Sequence, residues 1–143
     1  MQLVPDEQAA DIVVTAPQGK PLLVVEVKRR PIISKMLEQL RDYAQAIGAK
    51  YIMAVDPQHI IIAQSHNGFD SRETVTLITR EVLRPYTDAD LLRVEGFYLE
   101  SLIESWLRDF SFSWKSAKPP GYDELTRIGL ASLLRDSETR VKR

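Results

Sequence analysis

The stretch that decides the predicted fold is Asp11–Lys28, DIVVTAPQGKPLLVVEVK. Two short apolar runs flank the turn signal Pro17–Lys20, which is typical of a β-hairpin. Side chains alternate between the two faces of a strand. We therefore expect Glu26 and Lys28 to project to one face of the second strand and the intervening Val27 to project to the other.

The two open ends of this hairpin carry carboxylates. If Gln18 and Gly19 form the loop, Asp11 lies opposite Glu26, at about 4.5–5.5 Å, where like charges repel each other. Mg²⁺ or Mn²⁺, which prefer oxygen ligands, would offset that repulsion, and Lys28 would place a further positive charge beside the ion. The alternative is an ordinary surface ion pair between Glu26 and Lys28, and a slip of one residue would move Asp11 to the other face.

Composition limits the classes of site and partner. The 143 residues, 44% hydrophobic and 27% charged, suit one globular domain. A net charge of −1 argues against strong non-specific binding of polyanions but is compatible with a local basic patch. The chain has no cysteine, which excludes disulfides, zinc–thiolate sites and iron–sulfur clusters, and its two histidines are too few for a histidine-rich metal site. Any metal is therefore expected to be bound mainly by oxygen.

Neither an apolar run of about 18 residues nor a basic and then apolar leader is visible, so we expect no membrane segment and a cytoplasmic location.

The remaining patterns predict the helices and strands that follow the hairpin. They predict a helix from about Ile32 or Ser34 to Ile47, strands over Tyr51–Val55, Ile60–Gln64 and Thr74–Thr79, a helix over Thr87–Arg108, a strand or loop over Phe110–Trp114, a helix over 123–135 and a frayed charged tail over Asp136–Arg143. The aromatic residues between 106 and 114 suit core packing or a dimer surface.

The order of these motifs resembles the PD-(D/E)XK nuclease superfamily. Fourteen residues separate Asp11 from Glu26-Val27-Lys28, and the predicted helix that follows carries Gln39 and Tyr43, a QxxxY element. The segment LLVVEVKRR is similar in sequence to the N-terminal nuclease domain of type I restriction enzyme R subunits. This match covers about residues 8–64.

The resemblance implies a fold and a metal site. The fold is α/β (an α+β mixed sheet), a restriction-endonuclease-like core over 8–64 with helices flanking a central mixed sheet, and a strand and helical extension over 65–143 within a single domain, 1–143. Asp11 and Glu26, with the backbone carbonyl of Val27, would bind Mg²⁺ or Mn²⁺. Lys28 would position water or stabilise the transition state, and Gln39 would orient the site or contact the nucleic acid.

The implied activity is divalent-metal-dependent hydrolysis of nucleic acid, with DNA as the expected substrate and no strong sequence specificity. Phosphate contacts are expected from Arg29, Arg30 and Lys35. The superfamily usually has a helix before the first acidic residue, and ten residues are too few for a full helix and strand. We therefore expect that this element is missing, that a homodimer or partner subunit supplies it, or that this sequence starts downstream of the natural start. Two alternatives stay open: a catalytically inactive nuclease-fold scaffold that binds a partner protein or nucleic acid, and a structural homodimer.

Overall fold

The structure, a computed structural model, describes residues 10–66, 73–135 and 137–141. Within these ranges the strands are β1 (Ile12–Thr15), β2 (Pro21–Val27), β3 (Tyr51–Val55), β4 (His59–Gln64), β5 (Val75–Ile78) and β6 (Glu138–Val141). The helices are α1 (Ser34–Ile47), α2 (Thr79–Leu83), α3 (Gly96–Phe112), α4 (Tyr122–Arg127) and α5 (Leu130–Arg135).

The strands form one mixed sheet in the order β5-β4-β3-β2-β1-β6. Strands β2 and β3 are parallel because α1 connects them, and the other neighbouring pairs in the described ranges are antiparallel. Helices lie on both faces of this sheet. This arrangement confirms the predicted α/β class with a central mixed sheet and is compatible with a restriction-endonuclease-like core.

The predicted hairpin is present, but its loop differs from the prediction. Ala16 N–H donates to the carbonyl of Lys20 at 2.8 Å, so the loop holds Pro17, Gln18 and Gly19, with Gly19 at a φ of 88°. A glycine in this left-handed region closes such a loop without steric cost. An irregularity between Val14 and Thr15 then shifts the pairing back, and Ile12 lies opposite Val25, as the predicted register requires.

Two hydrophobic layers enclose the sheet, as the alternation in β2 predicts. On one face, Leu40 and Ala44 of α1 pack in a cluster with Val24 of β2. On the other face, the fully buried Trp106 of α3 belongs to a larger cluster that contains Val25 and its neighbours. The sheet is therefore buried on both sides, and the site residues must lie where its strands end.

Helix α1 follows the prediction closely. Its buried positions recur at helical spacing, and it ends at Gly48, whose φ of 80° allows its N–H to return to the last turn. The predicted strands at Tyr51–Val55 and near Ile60–Gln64 are confirmed as β3 and β4. The predicted strand over Thr74–Thr79 is confirmed as β5, although Thr79 begins α2 instead of ending the strand.

The C-terminal half departs from several predictions. The long helix begins at Gly96, not at Thr87, because the side chain of Thr87 accepts a hydrogen bond from the N–H of Ala89 and so caps a turn. It continues through Phe112, so the expected strand or loop at Phe110–Trp114 was wrong for most of that segment. The single helix predicted over 123–135 is divided into α4 and α5, with Gly129 at a φ of 84° between them.

The predicted frayed tail was wrong where the structure describes it. Residues 138–141 form β6, which pairs antiparallel with β1, Ile12 lying opposite Val141. Backbone hydrogen bonds to an open strand edge stabilise such a segment whatever the polarity of its side chains. Leu3–Val4 and Pro5–Asp6, whose sequence suggests the end of a strand and a turn, lie outside the described residues. In the part of the chain that is described, no helix is long and apolar enough to cross a membrane.

Candidate active site

The site begins where β1 starts beside the end of β2. Asp11 is held there at two points: its backbone N–H donates to the carbonyl of Val25, and its Oδ2 accepts a hydrogen bond from the N–H of Val27, both at 2.7 Å. This carboxylate is therefore fixed against the backbone that precedes Lys28. Its position depends on the hairpin register and not on a flexible loop.

The electrostatic setting of Asp11 favours a nearby cation. Burial raises the pKa of this carboxyl above its usual value of 3.8, while the Val27 N–H bond and the positive charge of Lys28 lower it by smaller amounts. The net direction is upward. A further positive charge beside Asp11 would therefore favour its ionised form.

Glu26 provides a second carboxylate, and this one is almost completely buried. Its residue surface is 6% exposed, and its Oε1 atom is buried as well. The other oxygen, Oε2, lies 3.0 Å from Nζ of Lys28, whose side chain is about half exposed. Burying a carboxylate costs several kcal/mol unless a cation compensates it. Lys28 supplies part of that compensation. The ion pair agrees with the prediction that the side chains of Glu26 and Lys28 project to the same face of the strand.

Helix α1 completes a pocket around this pair. The cavity measures about 830 Å³, and its polar lining includes Glu26, Lys28, Arg30 and Gln39, with Tyr43 beside them. Gln39 and Tyr43 are four residues apart and so lie on one side of the helix. The structure thus brings Glu26, Lys28 and Gln39 into one pocket. Asp11 does not line it but is bonded to the backbone between two residues that do.

The predicted phosphate-binding residues are not gathered in one place. Arg30 lines the pocket. Arg29 turns elsewhere: its Nη2 donates to the carbonyl of Leu92 at 3.5 Å, and its side chain lies near Gly96 at the start of α3. Lys35 is exposed on the first turn of α1 and is not part of the pocket lining.

A comparison with protein families matches residues 1–78 to the family described as the type I restriction enzyme R protein N terminus (HSDR_N). The chain belongs to this family. Searches of the curated proteins and of the solved structures returned no significant match. Membership confirms the resemblance stated from Asp11, the Glu26–Lys28 motif and the QxxxY element, and it indicates a nuclease-related role.

The donor atoms in this family member suit a hard divalent cation. Asp11, Glu26 and the carbonyl of Val27 offer two carboxylates and one carbonyl oxygen, the ligand types that Mg²⁺ and Mn²⁺ prefer. Among the residues described, no three or more histidine, cysteine or acidic side chains are grouped so that they could hold a metal ion together. A cation at this site would thus complete its coordination with backbone oxygen, water or substrate oxygen, as Mg²⁺ commonly does.

Asp56 opens the turn that follows β3 and is not among the residues that the sequence predicts for the site. It does cap that turn, because its Oδ1 accepts from the N–H groups of Gln58 and His59, both at 2.7 Å. Its Oδ2 also accepts from the N–H of Ile32 at 3.0 Å, across 24 residues of sequence. Asp56 is 4% exposed, so these bonds are well shielded.

The segment between Lys28 and Ile32 is therefore anchored at both ends. The N–H of Lys28 donates to the carbonyl of Val55 at the end of β3, and Ile32 is held by the neighbouring Asp56. Arg30 lies on the loop between these two anchors. The sequence signal for this role is an acidic residue directly after the apolar run of β3. Because β3 is parallel to β2, the two strands end at the same edge of the sheet.

Proposed function

We propose that this chain is a divalent-metal-dependent nuclease that hydrolyses phosphodiester bonds of nucleic acid, with DNA as substrate and without strong sequence specificity. The observation that carries the proposal is the meeting of Glu26, Lys28 and Gln39 in one pocket. Asp11, bonded to Val27 N–H at the same strand end, adds the second carboxylate. Membership in the restriction-enzyme family supports the same reading.

Each residue has a defined part in hydrolysis. A divalent cation held by Asp11, Glu26 and the carbonyl of Val27 would supply Lewis-acid charge at the phosphate. The oxygen of a water molecule attacks phosphorus while that water gives up one proton to solvent. The bond from phosphorus to the leaving oxygen breaks, and the leaving oxygen takes up one proton from solvent. Lys28 holds the attacking water and offsets the negative charge that develops. Gln39, exposed on α1, orients the substrate within the pocket.

Substrate contacts in this proposal are mainly to the phosphate backbone. Arg30 is the predicted cation that lines the pocket, whereas Arg29 is directed to the carbonyl of Leu92 and Lys35 lies outside the lining. Backbone contacts position a nucleic acid without reading its bases. We therefore expect Arg30→Ala to weaken cleavage more than Arg29→Ala or Lys35→Ala, on all sequences alike.

The test is cleavage of linear, circular and single-stranded DNA in Mg²⁺ and Mn²⁺ by the wild type, Asp11→Ala and Lys28→Ala. Both variants should lose cleavage. Lys20→Ala is the matched control, because Lys20 is exposed at the hairpin loop, at the opposite end of β2 from the site. A wild type that cuts none of these substrates would exclude the catalytic proposal, as would full activity in Lys28→Ala.

One observation favours the inactive scaffold as a second candidate. The ion pair between Nζ of Lys28 and Oε2 of Glu26, at 3.0 Å, gives the buried carboxylate part of its charge compensation from within the chain. In a scaffold this ion pair would only stabilise the fold. The wild type would then bind Mn²⁺ no more tightly than the Asp11→Ala variant binds it. Calorimetric titration of Mn²⁺ into the wild type and Asp11→Ala separates the two functions, because the nuclease requires binding that the variant loses.

A further inference from the structure

The pocket has a wall that the proposed hydrolysis does not use. This apolar wall consists of Ile33, directly before α1, and of Met36, Leu40 and Tyr43, which recur along one side of that helix. Leu40 is buried, Met36 and Tyr43 are half-buried, and Ile33 is 59% exposed. Apolar side chains gathered beside a functional site, with one so exposed, indicate a ligand with an apolar surface.

The lining also carries charged residues of both signs, the cations Lys28 and Arg30 and the acids Glu26 and Asp42. Lys28 and Arg30 both line the same cavity and suit an anion, while the acidic Asp42 lies on α1 and would repel it. A ligand for this pocket therefore combines an anionic group, held near Lys28, with a flat apolar group against α1. A purely apolar protein segment would not use the positive charge of Arg30, and a free phosphate would leave the apolar wall uncovered.

A nucleotide whose base has left the stack satisfies both requirements. Its phosphate is anionic, and its base face contacts aromatic and apolar side chains such as Tyr43 and Met36. In a duplex the base faces are covered by their neighbours, and only base edges and the backbone are accessible to such a wall. The cavity volume of about 830 Å³ lies in the range of about 300–1,000 Å³ typical of pockets for small groups.

We propose that the site selects unpaired nucleotides of single-stranded DNA, with the base against the apolar wall and the phosphate at Lys28 and Arg30. This inference rests on the proposed nuclease function for its phosphate position. It goes beyond that function by naming the strand form of the substrate, which the chemistry of hydrolysis alone does not specify.

The test measures binding separately from cleavage. Fluorescence anisotropy in Ca²⁺ compares a labelled single-stranded oligothymidylate with a blunt duplex of the same length, for the wild type, Ile33→Ala and Met36→Ala. We expect the wild type to bind the single strand at least about tenfold more tightly and Ile33→Ala to weaken that binding by about fivefold, since it removes half-exposed apolar contact area. Ile33 is exposed, so the variant should keep its fold, which a thermal unfolding curve verifies.

Ile78→Ala is the matched control, because Ile78 is also an exposed isoleucine, 47% exposed, but lies at the end of β5 and outside the pocket lining. It should leave single-strand affinity unchanged. Equal affinity for the two DNA forms, or an Ile33→Ala variant that binds like the wild type, would overturn the inference. A change of oligomeric state in Ile33→Ala by size-exclusion chromatography would also overturn it, because the apolar wall would then be a protein contact.

Combined with the cleavage assay of the proposed function, this binding measurement distinguishes failure of the two proposals. If the wild type cuts duplex and single strand equally in Mg²⁺, the nuclease function stands and the preference for unpaired nucleotides fails. If Ile33-dependent binding of the single strand occurs but nothing is cut in Mg²⁺ or Mn²⁺, the binding site stands and the catalytic function fails.

Discussion

Replacing Asp56 by asparagine should separate its two structural roles. Asparagine has nearly the same shape, and its Oδ1 keeps the bonds from Gln58 and His59 that cap the turn after β3. The other position becomes an amide NH₂ and faces the N–H of Ile32, so two donors meet where Oδ2 accepted at 3.0 Å. The substitution therefore releases the second anchor of the segment that carries Arg30.

The magnitude follows from the number and kind of bonds lost. One hydrogen bond to a charged group contributes about 1.5–3 kcal/mol to stability. Asp56→Asn removes this contribution, because the shielded N–H of Ile32 is left without its acceptor. We therefore expect Asp56→Asn to lower the free energy of unfolding by about 2 kcal/mol. Asp56→Ala removes the acceptor of three backbone N–H groups and should cost about 3–5 kcal/mol, a large part of a typical total of about 5–15 kcal/mol.

Urea unfolding followed by tryptophan fluorescence measures both values. For a domain of this size, 2 kcal/mol corresponds to a decrease of about 1 M in the urea midpoint. Hydrogen exchange adds a local test, because the amide of Ile32 should exchange faster in Asp56→Asn than in the wild type. Asp88→Asn is the control, since Asp88 is exposed. If Asp56→Asn unfolds at the same midpoint as this control and the Ile32 amide stays protected, the anchoring role is refuted.

Three further predictions concern stability. Burial raises the pKa of Asp11 in the folded state above 3.8, its ordinary value. Between these two pKa values the unfolded chain has already lost the proton that the folded protein keeps, so the free energy of unfolding falls as the pH rises through this range. Asp11→Asn should therefore raise the free energy of unfolding at pH 7 in EDTA, and urea titrations should show the gain vanishing as the pH approaches 3.8. Tyr86→Phe should cost about 1–3 kcal/mol in the same assay, because the hydroxyl donates to the fully buried Asp109 at 2.6 Å. Gly121→Ala should lower the melting temperature more than Gly19→Ala does: both have positive φ, but only at Gly121 would a Cβ lie 3.0 Å from a leucine side chain of β5.

The first half of the chain was predictable because its signals are local. The apolar spacing of α1 and the stop at Gly48 are contained within one element, and the alternation in β2 sets which side chains share a face. The meeting of Lys28 and Gln39 in one pocket also follows from local order, since α1 directly follows β2 and packs against the same face. The error in the hairpin loop was small because a nearby irregularity restored the register.

The remaining features depend on contacts between distant parts of the sequence. Thr87 and Asp90 have the composition of a helix start, but their side chains accept from the N–H groups two residues ahead and cap turns instead. The bond from Ile32 to Asp56 joins two loops that no periodicity relates. Strand β6 is charged and short, and the hydrogen-bonding groups that order it belong to β1, at the other end of the chain.

The C-terminal half supports the candidate site through the sheet itself. Strand β1, which follows Asp11 directly, pairs with β2 on one side and with β6 on the other. Without β6, β1 would be an edge strand with unpaired ladder groups, and short edge strands fray. Fraying would loosen the bond from Val27 N–H to Asp11 and with it the spacing of the two carboxylates. The geometry of the proposed metal site at Asp11 and Glu26 therefore depends on residues 138–141, which lie outside the motif that predicts it.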